Sequence, residues 1–321
     1  MKVFDNVLEM IGNTPLVRVN NLDTGPCELY LKLELQNPGG SIKDRIAVEM
    51  INAAERDGKL KAGDTIIEAT AGNTGLGLAL VAASKGYPLK IVMPDKMSQE
   101  KVNNLRAMGA EVVQTRSDVQ KGHPEYYQDM AARMASENGW FYVNQFENPA
   151  NVEAHYKTTG PEIWQQMNGD IDAFVCGVGS GGTLTGIGRY LREHNADVDM
   201  VLADPAGSIL EPLVNRGEHV EAGSWLAEGI GEDFVPTICD ISIANKAYAI
   251  SDKEGMQTAR NVLEKEGVMV GSSSGTLIAA ALRYCQEQTE KKRVVTLACD
   301  TGNRYLSKLF NDDWMRENNL L

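Results

Sequence analysis

The chain has 321 residues, 43% of them hydrophobic and 23% charged, with a formal net charge of −13. That length and apolar content can bury the core of two domains or of one large α/β domain. The negative charge, with no basic block set against it, disfavours nucleic acid and acidic membrane surfaces and leaves small-molecule chemistry.

The first residues, MKVFDNVLEMIGNTP, lack the charged start, apolar stretch and small-residue cleavage site of a leader, and no apolar run approaches a membrane span, so a cytoplasmic protein is expected. Apolar runs at 28–35, 65–69, 88–94, 171–179, 198–205 and 293–299 predict strands. Helical periodicity predicts helices over 41–58, 73–86, 98–110, 125–139 and 252–267. Near-continuous apolar strands alternating with helices predict an α/β fold whose parallel-rich sheets are covered on both faces. The stretch FENPANVEAHYKTTGPEIWQQM (146–167) reads as a hinge between two units.

Cys27, Cys176, Cys239, Cys285 and Cys299 are scattered without a CxxC pair, which predicts reduced packing thiols. His123, His155, His194 and His219 show no metal-ligand spacing, so no metal is expected.

Chemistry concentrates in four short stretches. NPGGSIKDR (37–45) puts Lys43 at the head of a helix, where the dipole disfavours a positive charge but not an amine tied up as an imine. EATAGNTG (68–75) offers backbone amides at a helix start, suited to a carboxylate or phosphate oxygen, or merely a turn with an Asn or Thr cap. GVGSGGTLTG (177–186) could cradle a phosphate around Gly179–Thr183. Its GxGxxG match at Gly177, Gly179 and Gly182, a weak signal by itself, with Asp204 at the end of the next strand, keeps a nicotinamide dinucleotide as a rival reading. MVGSSSGTLIAAAL (269–282) presents three serines, either a cap with spares or a hydroxyl aimed at a ring nitrogen. An imine-forming lysine, a phosphate cradle and a carboxylate-binding turn are together what pyridoxal phosphate chemistry on an amino acid requires.

The motifs IGNTPLVR, NPGGSIKDR, ATAGNTG, AHYKTTGPEIWQQ, GSGGTLTG and GSSSG, in this order along the whole chain, resemble the cysteine synthase and cystathionine β-synthase family of fold-type II pyridoxal-phosphate enzymes. The resemblance implies a two-domain, three-layer, tryptophan synthase β-like architecture with twisted parallel-rich sheets, and a homodimer. Residues 1–40 with 146–321 would form the larger, phosphate-binding domain, and 41–145 a smaller, mobile, substrate-binding one. It implies that Lys43 carries pyridoxal 5'-phosphate and moves the α-proton, and that Asn73 bonds the ring hydroxyl. Gly179, Ser180, Gly181, Gly182 and Thr183 would hold the phosphate, and Ser273 would face the ring nitrogen. Thr70, Ala71, Gly72, Asn73 and Thr74, with Gln145, would receive the substrate carboxylate.

Three departures from the family pattern are informative. Ala71 stands where a serine is frequent, removing one donor; Phe146 follows Gln145 where tyrosine can stand. In AEGIGEDF (227–234), Glu232 replaces a tyrosine of the cystathionine β-synthase branch. A carboxylic acid there could protonate a departing hydroxyl or activate water; the alternative is one more exposed acid beside Glu228 and Asp233. The chain as given leaves no room for a C-terminal regulatory pair or a haem-binding N-terminal extension, so a minimal catalytic core is expected.

The resulting expectation is β-replacement on L-serine or O-acetyl-L-serine by a sulfur nucleophile through an aminoacrylate. EGIG tilts the acceptor towards homocysteine; sulfide, and hence cysteine synthesis, is the alternative. A serine or threonine ammonia-lyase, a nicotinamide-dependent dehydrogenase and a non-catalytic amino-acid sensor are more distant readings.

Overall fold

The computed structural model describes residues 3–321. Their ten strands are β1 (Leu16–Arg18), β2 (Glu28–Lys32), β3 (Ile66–Ala69), β4 (Leu89–Pro94), β5 (Glu111–Thr115), β6 (Phe141–Tyr142), β7 (Ala173–Cys176), β8 (Asp199–Pro205), β9 (Lys246–Ile250) and β10 (Arg293–Leu297). All six predicted strands and all five predicted helices form. The additional strands β1, β5, β6 and β9 are short or carry polar residues and lie at or beside sheet edges.

The chain divides into two compact units, one made of the residues up to Ile11 with Asn37–Ala154, the other of Gly12–Gln36 with His155–Leu321. The division differs from the expected 40/41 and 145/146 boundaries for a packing reason. Helix Pro149–Ala154 lies against helix Lys43–Arg56, and the Val7–Met10 turn lies against helix Asn73–Lys85, which ties both segments to the first unit. The hinge-like stretch 146–167 is itself helical, passing from Pro149–Ala154 through a π-turn, His155–Thr159, into Gly160–Gln166.

In the first unit four parallel strands run in the order β5-β4-β3-β6. Alternate residues point to opposite faces of a strand, and both faces are covered. Ile66, Ile91 and Met93 pack with Ile46, Met50 and Leu78 of helices Lys43–Arg56 and Asn73–Lys85. Ile67, Ala69 and Val92 pack with Ala131 and Ala135 of helix Tyr127–Asn138. Three layers result, as the continuous apolar runs required.

In the second unit six strands run β1-β2-β10-β7-β8-β9, parallel except for the antiparallel β1–β2 edge. Helix Ser272–Gln286 packs on β7, β8 and β10 and on helix Asp252–Glu266.

A wholly buried lysine braces this unit. Lys32, 0% exposed on β2, donates from Nζ to the Thr14 carbonyl at 2.7 Å, Glu162 Oε2 at 2.7 Å and Gln166 Oε1 at 2.9 Å. These bonds tie an inner strand to the loop before β1 and to helix Gly160–Gln166. Removing one partner of a buried pair strands the other charge, at a cost of about 3–5 kcal/mol. Lys32→Met is therefore expected to lower stability by about 3 kcal/mol, and Glu162→Gln added to it to recover part of the loss; calorimetric unfolding of both variants checks this.

Candidate active site

Lys43 is the first residue of helix Lys43–Arg56, and the turn before it is held from within. The buried Asp44 carboxylate reaches back to accept the Gly39 N–H at 2.5 Å, and Ser41 Oγ accepts the Lys43 N–H at 3.2 Å. Asp44, being acidic in the first turn, also suits the helix dipole that Lys43 opposes. Helix Asn73–Lys85 crosses here so closely that a Cβ on Gly77 would lie 3.0 Å from the Lys43 carbonyl oxygen. Lys43 and the Thr70–Thr74 turn thus stand on two helices locked together at that point.

The Thr70–Thr74 turn leaves the C-terminal end of β3 and leads into helix Asn73–Lys85, whose N-cap is Gly72 with no side-chain cap. Thr70 Oγ1 accepts the Gly72 N–H at 3.2 Å, and Thr74 Oγ1 donates to Gln145 Oε1 at 2.7 Å. The last bond joins residues 71 apart in sequence and brings Gln145 to the turn.

In the second unit, β7 ends at Cys176 and Gly177–Gly181 lead into helix Gly182–His194. Gly181, the N-cap, has φ +89° and no side-chain cap, so the amides that open the helix are not satisfied by a side chain. A Cβ on Gly179 would lie 2.5 Å from the Gly229 carbonyl, and one on Gly181 2.4 Å from Cys239 Cβ; only glycine fits at either place. Thr183 Oγ1 lies 3.3 Å from Nε2 of the buried His155, whose Nδ1 is 3.0 Å from Thr159 Oγ1. The π-turn that carries His155 is a device frequent at functional sites. No spacing rule in the sequence pointed to this contact.

The three serines separate by function. Ser272 Oγ accepts the Glu228 N–H at 3.0 Å, and Ser274 Oγ accepts the Cys299 N–H at 2.8 Å. Ser273, 6% exposed, makes no side-chain hydrogen bond among the described residues. The helix cap is Gly271, not a serine. A nearly buried hydroxyl without a partner is what a bound ring nitrogen would satisfy.

Glu232 is brought beside the phosphate-type loop: the Gly231 N–H donates to the Val178 carbonyl at 2.9 Å, and Gly229 abuts Gly179. Ser208, which the sequence did not single out, clamps Glu232. Its Oγ accepts the Glu232 N–H at 3.0 Å and lies 3.2 Å from the Glu232 carbonyl, to which Ile209 N–H also donates. The neighbouring acids differ: Glu228 pairs with Lys308 at 2.7 Å and Asp233 is exposed, whereas Glu232 is half-buried. Burial, with the charges of Asp240 and Glu232, pushes the Cys239 thiol up to about 12, so the Glu232 carboxylate acts on the residue that backs Gly181. Burial likewise raises Cys176 and Cys285, which favours inert thiols.

Asp204, the group a dinucleotide ribose would need, is 0% exposed. It accepts the Glu211 N–H at 2.8 Å, and burial pushes its carboxyl up to about 6. It closes the local turn into helix Leu210–Arg216 and presents nothing to a sugar.

The donor set therefore fits pyridoxal phosphate: uncapped amides at glycine-started helices for oxyanions, a lysine on a braced turn, and an unpartnered serine hydroxyl. Comparison with known proteins agrees. Residues 7–300 match the model of the pyridoxal-phosphate dependent enzyme family. A cystathionine beta-synthase of Apis mellifera is 42% identical over all of this chain and 64% of its own length. A cysteine synthase of Staphylococcus aureus is 44% identical over 95% of this chain and 96% of its own. The chain spans less than two thirds of the length of the curated cystathionine beta-synthases it matches. Among solved structures, a hydrogen sulfide-producing enzyme of Fusobacterium nucleatum superposes with a TM-score of 0.87 at 38% identity, covering 95% of this chain and 98% of that one. The chain belongs to the pyridoxal-phosphate dependent enzyme family, with the α/β fold of its fold-type II members.

Proposed function

We propose that the chain catalyses β-replacement on L-serine or O-acetyl-L-serine with a sulfur nucleophile, as cystathionine β-synthases do. One observation carries the proposal: Lys43 and the Thr70–Thr74 turn are braced on two helices in contact, so that a proton-moving amine and a set of carboxylate donors are held in fixed relation. Pyridoxal phosphate, when bound, supplies an electron sink that acidifies the α-hydrogen of an amino acid. Gly179, Ser180, Gly181, Gly182 and Thr183 would hold its phosphate, Asn73 its ring hydroxyl, and Ser273 its ring nitrogen. A serine there, unlike a carboxylate, would leave that nitrogen unprotonated and temper the chemistry the cofactor supplies towards loss of a β-substituent.

Thr70, Ala71, Gly72, Asn73, Thr74 and Gln145 receive the substrate carboxylate and orient the α-hydrogen towards Lys43. Lys43 takes that proton and returns it after the new Cβ–S bond has formed. Glu232 donates a proton to the departing oxygen, so that serine's hydroxyl leaves as water, and regains one from the incoming thiol.

The packing of the Gly229–Gly231 segment on the phosphate-type loop supports this reading, because it brings the stretch of chain that carries Glu232 to that loop. The cysteine-synthase reading, O-acetylserine with sulfide, is favoured by the match to a cysteine synthase over nearly the full length of both chains. Acetate leaves without an acid, and in that reading Glu232 is a bystander. Cytoplasmic location and a homodimer are carried over from the family as part of the proposal. No helix among the described residues is long and apolar enough to cross a membrane.

Lys43→Ala is expected to lower turnover at least about 10³-fold. Borohydride treatment should fix the cofactor on the Lys43 peptide of the native protein and on no peptide of the variant; mass spectrometry reads both. Near-normal turnover would overturn the assignment. For Glu232→Gln, the expected result is a loss of about 10²-fold in turnover of serine, with O-acetylserine retained. Product analysis with each donor, offered sulfide or homocysteine, checks this, and an unchanged serine rate selects the cysteine-synthase reading.

A further inference from the structure

Glu68 is the penultimate residue of β3 and is 1% exposed. Its carboxyl group takes the place of a main-chain acceptor where the neighbouring strand leaves the sheet. The Val143 N–H still donates to the Ile67 carbonyl at 3.1 Å, but the Asn144 N–H goes to Glu68 Oε2 at 2.7 Å and the Gln145 N–H to Oε1 at 3.4 Å. Asn144 is in the left-handed region at φ +50°, a conformation that costs energy outside glycine and persists only when its surroundings impose it. The Glu68 carboxyl holds the Asn144 N–H, while the Asn144 carbonyl accepts the Glu147 and Asn148 N–H groups at 3.1 and 3.0 Å.

Gln145 is held from three sides. Its N–H donates to Glu68, its carbonyl accepts from Asn151 Nδ2 at 2.8 Å, and its Oε1 accepts from Thr74 Oγ1. No lysine, arginine or histidine pairs with Glu68 among the described residues. The titratable group in its field is the Tyr142 phenol on β6, itself in the field of Tyr127, Asp129 and Glu147. A buried carboxyl with no cation is a costly choice for a structural prop; an amide would give the fold an uncharged acceptor of the same shape.

We propose that Glu68 is a positioning residue for the amino-acid substrate, locking Gln145 and, through the Gln145–Thr74 bond, the Thr70–Thr74 turn in the arrangement that receives the substrate carboxylate. This rests on the carboxylate-binding role given above to the turn and Gln145, and adds the group that sets their geometry. Burial pushes the Glu68 carboxyl up to about 8, against the bonds from Asn144 and Gln145 that favour its ionised form. Below that pH it is neutral behind an anion-binding turn. As pH rises through about 8 it acquires a negative charge that opposes the substrate carboxylate, so substrate affinity falls.

The experiment measures binding of L-alanine, which has no β-leaving group, by the change in cofactor absorbance of loaded protein between pH 6.5 and 9.5. The native chain is compared with Glu68→Gln, Glu68→Ala and Gln145→Ala, with cofactor content and thermal unfolding recorded for each. Glu68→Ala should weaken L-alanine about tenfold at pH 7 while cofactor content is kept. Glu68→Gln should restore most of the affinity and remove the part of the pH dependence centred near 8, which a merely structural residue would not do. The same pH profile in native and Glu68→Gln protein overturns the proposal, even if Glu68→Ala does not fold. Loss of affinity in Gln145→Ala with none in Glu68→Ala overturns it alone. Full affinity in Gln145→Ala overturns the carboxylate-binding role as well.

Discussion

The first N–H groups of an α-helix have no acceptor within the helix, and the chemistry of this protein depends on how that deficit is met. Helices Gln99–Ala107 and Asp252–Glu266 meet it internally, through the side chains of Ser98 and Ser251. Helices Asn73–Lys85, Gly182–His194 and Ser272–Gln286 start after Gly72, Gly181 and Gly271, with no side-chain cap. In the turns before the last two, Gly179, Gly181 and Gly271 sit too close to neighbouring atoms to carry a side chain, and each of the three helices keeps donors or hydroxyls at its start. An anionic cofactor and an anionic substrate are matched to such ends by charge as well as by hydrogen bonding.

Two buried ionisable side chains, Lys32 and Glu68, are held in contrasting ways. Lys32 is surrounded by acceptors and paired with Glu162, so it acts as a strut inside the six-stranded sheet. Glu68 has amide donors but no cation among the described residues, and burial raises its proton affinity against those donors. The first arrangement stabilises one packing; the second couples packing to protonation. Glu232 differs from both, being half-buried, clamped through its backbone by Ser208, and near enough to Cys239 to raise that thiol. A carboxyl whose main chain is pinned while its side chain stays partly accessible can exchange protons without disturbing the fold.

The same loop geometry argues against the nicotinamide reading. The GxGxxG spacing is present, but the residue that should meet a ribose is sealed in the protein, and Gly177 and Gly179 are needed for close packing of the loop against Ile230 and Gly229. Spacing describes where glycines are needed; it does not say which molecule made them necessary.

The sequence by itself determined the alternation of strands and helices, because apolar runs and 3.6-residue periodicity are local properties, and it marked Lys43 and the glycine-rich turns because their residue types are local too. Short strands such as β6 and β9 escaped it, since two to five residues carry little periodic signal and owe their conformation to a neighbouring strand. Only the tertiary structure decided which of three consecutive serines is unengaged, that Asp204 faces inward, that His155 meets Thr183, and that Ser208 holds Glu232. Each depends on contacts between residues distant in sequence, where burial and hydrogen-bond partners, not composition, settle what a side chain can do.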